Sequence, residues 1–265
     1  MNGRTGTLFR QLRVGYVQRP ALLPNAPELH DNGHAEARSC PEWELEAFPL
    51  AARLLGGKPL VPLGLLQASP NGGRRRGASK DGSDHATIVT VRWLNARPAS
   101  SVVYVALGSE VPLPVALVHE MAQGWSSPER VLWALRKPAG VPDAEVLPTG
   151  LSDRGLLAMG WVPQISILAH AVVGTFLRHC GRNSLIEGLL FGHPLVMLPI
   201  FDDQGPNARA KEWRKVGLQV VRNEDDRSFN RHGIASGVRD VIVKGEASQE
   251  GLCSKCQEDA GDCSR

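Results

Sequence analysis

WVPQISILAHAVVGTFLRHCGRNSLIEGLLFGHPLVMLPIFDDQ, running from Trp161 to Gln204, decides the fold of this chain. Its middle changes period abruptly. Val172 to Leu177 is a β-rich apolar run, His179-Cys180-Gly181 interrupts it, and Asn183-Ser184 opens an apolar-periodic run that ends at Gly192. That succession predicts a strand, a tight turn and a helix start. A helix start offers unpaired backbone N–H groups and a partial positive charge, so a diphosphate can sit there without a metal ion. Gly181 lets the backbone come close to such a group.

Outward from this stretch, apolar β-type runs alternate with helical patterns. The spacing predicts strands at 102–107, 131–136, 155–159, 173–177, 194–199 and 218–221, and helices at 114–123, 166–170, 183–191, 206–216 and 233–244. Almost continuously apolar strands are expected where helices cover both faces of a parallel sheet. The fold class is therefore an α/β doubly wound parallel sheet, Rossmann-like, whose ligand crevice lies at the carboxyl ends of the strands. Leu107-Gly108-Ser109 and His179-Cys180-Gly181 both fall at such ends.

The rest of the chain divides by composition. Residues 1–37 mix Pro, Asn, Gly, His and Arg without a sustained period and read as an irregular leader. Residues 38–65 include a helical pattern from Glu42 to Leu55 and the run Lys58 to Gly64, and 66–86 is a Gly, Ser, Asp and Arg-rich surface loop. The sheet domain occupies 87–244, and 245–265 is a polar tail of different character.

Composition narrows the function classes. Forty-two per cent apolar and 22% charged residues describe an ordinary globular chain, and a formal net charge of +3 is small for 265 residues. Arg74-Arg75-Arg76 sits among Gly, Ser, Asn and Asp without interleaved aromatics, which favours a solvated loop over a nucleic-acid patch. Glu187, His193 and Pro194 interrupt the most hydrophobic region, and MNGRTGTLFRQLR lacks a signal-peptide apolar stretch. The expectation is a soluble, cytoplasmic protein with neither nucleic-acid nor membrane partners. Cys180 reads as a small buried side chain, whereas Cys253, Cys256 and Cys263 could open a zinc site but lack a fourth ligand nearby.

The 161–204 stretch resembles the signature box of plant family-1 UDP-glycosyltransferases, W-x-P-Q…H-C-G-x-N-S-x-x-E…G-x-P-L…D-Q, in length and order. Outside it, RSCPEWELEAFPL, KPLVPLGLL, VRWLNARPASSVVYVALGSEVPL and LWALRKPAGVPDAEVLP resemble the branch that adds a sugar to already glycosylated small molecules. The resemblance covers roughly residues 38–244 and implies the C-terminal, donor-binding half of a GT-B glycosyltransferase. It further implies an inverting, metal-independent transfer of a hexose from a UDP-sugar to a hydroxyl of a small-molecule glycoside, with no cofactor beyond the UDP-sugar co-substrate.

The same resemblance assigns site residues. Trp161 would stack on uracil, the alternative being a strand-end core aromatic, while the Val162 backbone would read the base edge and Gln164 would position the nucleoside. Ser109, His179, Gly181, Asn183 and Ser184 would surround the diphosphate. Glu187 would accept the ribose hydroxyls, although Ser184-x-x-Glu187 is also a capping-box pattern. Asp203 and Gln204 would bind sugar hydroxyls or, alternatively, begin a helix. Arg182 stands where most relatives carry Trp, so it implies either a preference for UDP-glucuronate over UDP-glucose or a solvent-facing drift.

No catalytic residue is identified. In the family the acceptor hydroxyl is deprotonated by a His held by an Asp in the N-terminal domain, and only the leader stands before Arg38 here. His30 with Asp31, or His34, are substitutes that nothing in their polar surroundings fixes. The 123–128 segment, a shortened 147–156 segment and the altered tail also depart from the family. Together these features lead to the expectation of a truncated or decayed copy with impaired turnover, or of a non-catalytic UDP-sugar binding module or interaction fragment.

Overall fold

The structure, a computed structural model, describes residues 35–37, 47–54, 57, 59–62, 80–108, 112–125, 130–146, 155–200, 204–223, 225–226 and 228–242. The chain divides into two units, Met1–Gln67 with Glu258–Arg265, and Ala68–Gln257. In the first, β1 (Ala35–Ala37) pairs in parallel with β2 (Leu60–Pro62), and α1 (Ala47–Leu54) falls between them in sequence. Three residues of the stretch read as an irregular leader are thus a strand. Pro49 sits in the first turn of α1, where its missing N–H costs nothing.

The second unit is built on a six-stranded, all-parallel sheet in the order β5-β4-β3-β6-β7-β8. Its strands are β3 (Val102–Ala106), β4 (Arg130–Leu135), β5 (Gly155–Met159), β6 (Val173–Arg178), β7 (Leu195–Met197) and β8 (Gly217–Gln219). Numbered from β3, this is the 3-2-1-4-5-6 order of the doubly wound fold, with the direction of winding reversing between β3 and β6. The expected fold class is what forms. Every residue of β3 is buried, as the continuous apolar run Val102–Ala106 requires of a central strand.

Side-chain alternation sorts β3 and β6 onto two cores. Val103, Val105 and Leu177 join Val118 and Met121 of α3 (Val115–Gly124) and Ile234 and Val238 of helix α8 (231–242). Tyr104 and Phe176 belong to the other face, their rings stacked with centroids 5.1 Å apart. On that face α6 (Arg182–Leu190) comes so close that a Cβ on Gly188 would lie 2.8 Å from Leu195 and 2.9 Å from Phe176. Glu120 of α3 holds α8 through a two-pronged ion pair to Arg231.

Several boundaries differ from the sequence expectation. The surface loop expected through residue 86 gives way at α2 (Lys80–Asn95), because burial of Thr90 and Leu94, four residues apart, overrides the loop-like composition before them. The short α4 (Asp143–Val146) was not expected. β7 is confined to Leu195–Met197, since Pro194 and Pro199 on either side cannot donate to a ladder. α5 (Gln164–Leu168) and α7 (Gln204–Trp213) each begin two residues before their expected starts. Among the described residues no helix is long and apolar enough to cross a membrane. The tail cysteines lie outside the described residues, and within these no group of three or more His, Cys, Asp or Glu side chains could hold a metal ion.

β8 owes its position to a glycine. A Cβ on Gly217 would stand 2.3 Å from the Leu195 carbonyl oxygen and 2.7 Å from its Cβ, so backbone and not a pliable side chain fills the space. Gly217→Ala should destabilise the domain by about 1–3 kcal/mol in urea unfolding, the usual cost of overpacking. An unchanged unfolding midpoint would show that β8 docks with more slack than this.

Candidate donor site at the switch point

The crevice of a doubly wound sheet opens where the winding reverses, here beyond Ala106 of β3 and Arg178 of β6. Both strand ends turn sharply. Gly108 has φ +83, and a Cβ there would lie 2.6 Å from the His179 ring, while one on Gly181 would lie 2.5 Å from His179 Nε2. The imidazole is therefore wedged between two residues that must lack side chains. Cys180 between them adopts φ +67, an unfavourable conformation for a residue with a Cβ.

Two buried polar side chains hold this turn. Arg178 Nη2 donates to the Gly181 carbonyl at 2.5 Å, and Asn207 Nδ2 of α7 donates to the Cys180 carbonyl at 3.2 Å. Gly181 is the N-cap of α6 and no side chain caps the helix. The first intrahelical bond runs from Leu185 N–H to the Gly181 carbonyl, so the N–H groups of Arg182, Asn183 and Ser184 have no partner within the helix. Asn183 is exposed and Ser184 half-buried beside them.

The capping-box alternative is overturned here. α6 starts at Arg182, not at Asn183 or Ser184, which places Ser184 inside the first turn. Glu187 instead receives a hydrogen bond from Gln164 Nε2 at 2.5 Å, and Tyr104 OH donates to Gln164 Oε1 at 3.3 Å. Burial, with Glu187 as a second cause, pushes the Tyr104 phenol up, so it remains a donor. The result is a directed chain, Tyr104 to Gln164 to Glu187, that ends on a carboxylate only 6% exposed.

Trp161 stands beside Gln164 in sequence, after Gly160 at φ +104, and its side is open to solvent with the residue 54% exposed. The alternative of a core aromatic is thereby excluded. The Val162 carbonyl accepts the Gln164 N–H at 2.9 Å, one of its two lone pairs. Gln204 is buried, its Oε1 accepting the Ile200 N–H at 2.8 Å across the β7–α7 connection. Ser109, Asp203 and the side chain of Arg182 lie outside the described residues.

Electrostatics separate His179 from its neighbour. Burial first and the Arg178 guanidinium second push His179 down to about 3, and the opposing Ala106 carbonyl does not offset them. Its Nδ1 makes no well-formed hydrogen bond. Arg178 is pushed down by burial to about 10, which leaves it charged at neutral pH. Sequence reading missed Arg178, Tyr104 and Asn207. A charged residue closing an otherwise apolar strand was the available signal for the first; nothing local marks the other two.

The chain has relatives among known proteins. Residues 80–246 match the family described as UDP-glucoronosyl and UDP-glucosyl transferase. UDP-glycosyltransferase 91D2 of Stevia rebaudiana is 43% identical over 195 residues, which cover 71% of this chain and 40% of that protein. UDP-glycosyltransferase 91B1 of Arabidopsis thaliana is 39% identical over 255 residues, 90% of this chain and 52% of that one. The chain thus spans about half the length of the curated relatives it matches. The Phytolacca americana UGT2 structure complexed with UDP-2fluoro-glucose and pterostilbene superposes with a TM-score of 0.70 at 28% identity, over 87% of this chain and 49% of that one.

Fold and strand-end turns together define a Rossmann-like parallel-sheet domain of the kind that forms the C-terminal half of GT-B glycosyltransferases. The chain belongs to the plant UDP-glycosyltransferases of family 1, a family of UDP-sugar-dependent enzymes.

The neutral His179 carries a pH prediction. Its folded pKa lies below the roughly 6.5 of an unfolded histidine, so the associated stability is complete above that value and is lost as pH falls towards the folded one. The His179 ring resonances should stay unshifted between pH 8 and 5 in an NMR titration, and His179→Gln should flatten the loss of stability over the same range. A midpoint near 6.5 for this ring would contradict the wedged geometry.

Proposed function

We propose that this chain carries the donor-recognition machinery of a glycosyltransferase that moves a hexose from a UDP-sugar to a hydroxyl of a small-molecule glycoside, with inversion and without a metal. The observation that carries the reading is the α6 N-terminus, with three N–H groups beside a turn stripped of side chains at Gly108 and Gly181. It suits a diphosphate whose negative charge grows as the sugar departs. Trp161 offers an open indole face to uracil and the Val162 backbone its edge, while Glu187, oriented by Gln164, takes the ribose hydroxyls.

His179, Asn183 and Ser184 line the diphosphate, with Ser109 arriving from the β3 end. Asp203 contacts the sugar, and Gln204 both adjoins it and holds the loop through Ile200. The bound UDP-2fluoro-glucose of the Phytolacca relative supports a glucose-type donor. Saturable UDP binding in calorimetry, reduced about tenfold or more by Trp161→Ala, is the expected result, a base stack being worth roughly 1–3 kcal/mol. A folded chain that does not bind UDP refutes the assignment.

A second reading is favoured by one observation. A general base works best with a pKa near the working pH, and His179 at about 3 is a poor proton acceptor. The described site therefore binds the donor but does not itself activate an acceptor hydroxyl, and by itself it would act as a UDP-sugar binding module.

Arg182 bears on donor choice. A guanidinium at the second residue of the turn-to-helix junction can pair with a uronate carboxylate. The Kd ratio of UDP-glucuronate to UDP-glucose should rise about tenfold in Arg182→Trp. An unchanged ratio would leave Arg182 without a part in donor selection.

A further inference from the structure

Among the described residues of the switch point, Arg178 is a buried charge whose placement is electrostatically unfavourable. It is fully buried, and Nε and Nη1 have no hydrogen-bond partner among the described residues. Its third nitrogen, Nη2, reaches the carbonyl of Gly181, the residue that caps α6, so the guanidinium lies against the start of that helix. A helix N-terminus is already the positive end of the dipole and favours anions. Burying a cation there stacks like charge upon like in a medium that screens poorly.

Among the described residues, Cys180 and Glu187 favour its charge without forming an ion pair with it. Glu187 is the nearby carboxylate, but it forms no ion pair with Arg178 and its Oε2 is occupied by Gln164. The Phe176 ring, centred 5.3 Å from the guanidinium carbon, offers only its weakly negative face. Burial first, and the same guanidinium second, hold the neighbouring His179 imidazole well below its ordinary pKa. An aliphatic residue of similar size would fill this place at no such cost.

We propose that Arg178 is a positioning residue for the donor's diphosphate, a buried fixed cation that is uncompensated until an anion occupies the α6 N-terminus. The inference rests on the donor-site reading above and deepens it. Arg178 acts through space and through the turn it holds, setting the strength of the site for the charged part of the ligand and not for the nucleoside.

The test compares the full-length chain with Arg178→Met, Arg178→Gln and Arg178→Lys, using UDP and uridine as probes in calorimetry at low and high salt, together with melting of the unliganded proteins. Arg178→Met should bind UDP about tenfold more weakly and bind uridine within about twofold of wild type. Its UDP affinity should also lose part of its salt dependence. Arg178→Lys should retain most of the UDP preference, and Arg178→Gln should resemble Arg178→Met if the latter fails to fold.

An unchanged UDP-to-uridine ratio in a folded Arg178→Met or Arg178→Gln, with wild type binding both ligands, overturns this inference alone. Equal loss of both ligands with a lowered melting temperature also overturns it, since that is what a purely structural arginine would give. A folded wild-type chain that binds neither probe overturns the donor-site reading and this inference with it.

Discussion

The turn from Arg178 to Gly181 is the constraint on which the site depends. A parallel strand must pass into a helix within three residues while the backbone N–H groups of that helix stay open. Cys180 accomplishes this by taking up a left-handed conformation that only surrounding contacts can sustain. Those contacts are hydrogen bonds to the turn's carbonyls, from Arg178 below and from Asn207 of α7. With the carbonyls occupied from the protein side, the N–H groups are what the turn presents outward. The glycines at 108 and 181 then keep that outward side narrow, with room for a flat imidazole but not for a Cβ.

Charge distribution follows from the same packing. A histidine wedged between two backbones loses hydration, and the neighbouring guanidinium removes the remaining incentive to carry a proton. His179 is then a shape and a hydrogen-bonding group, and positive charge at the turn comes from Arg178 and the helix dipole. Tyr104, Gln164 and Glu187 form a one-way series of donors ending on an acceptor, which fixes the carboxylate with one oxygen engaged and lone pairs remaining for hydroxyls.

How much of this could be read from the sequence follows from burial. β3, β4 and β6 were legible because strands covered on both faces are nearly continuous apolar runs. α2 was not, for a physical reason: Ile88, Val89 and Val91 of this helix face outward while Thr90 and Leu94 are buried, so its hydrophobic pattern points the wrong way. α4, at four residues, is too short to carry a period. Within the site, the positions Trp161, Gln164, His179 and Glu187 were visible through the spacing of the box. What each does was not. Ser184-x-x-Glu187 fits a capping box as well as a ligand carboxylate, and only the position of Gln164 decides that Glu187 turns away from the helix end.

Arg178 marks the limit of such reading most clearly. In the sequence it is a charge that ends a strand, the ordinary place for a residue heading into solvent. In the fold it is the last residue of β6 and fully buried, and a guanidinium is left with two nitrogens without a partner among the described residues. Local sequence rules assign a charge to the surface because unpaired burial is costly. When a fold accepts that cost at a ligand crevice, the missing partner is the most economical explanation, and its sign is given by the charge left behind. The buried charge of Arg178 and the open N-terminus of α6 would both be eased by negative charge between β3 and β6.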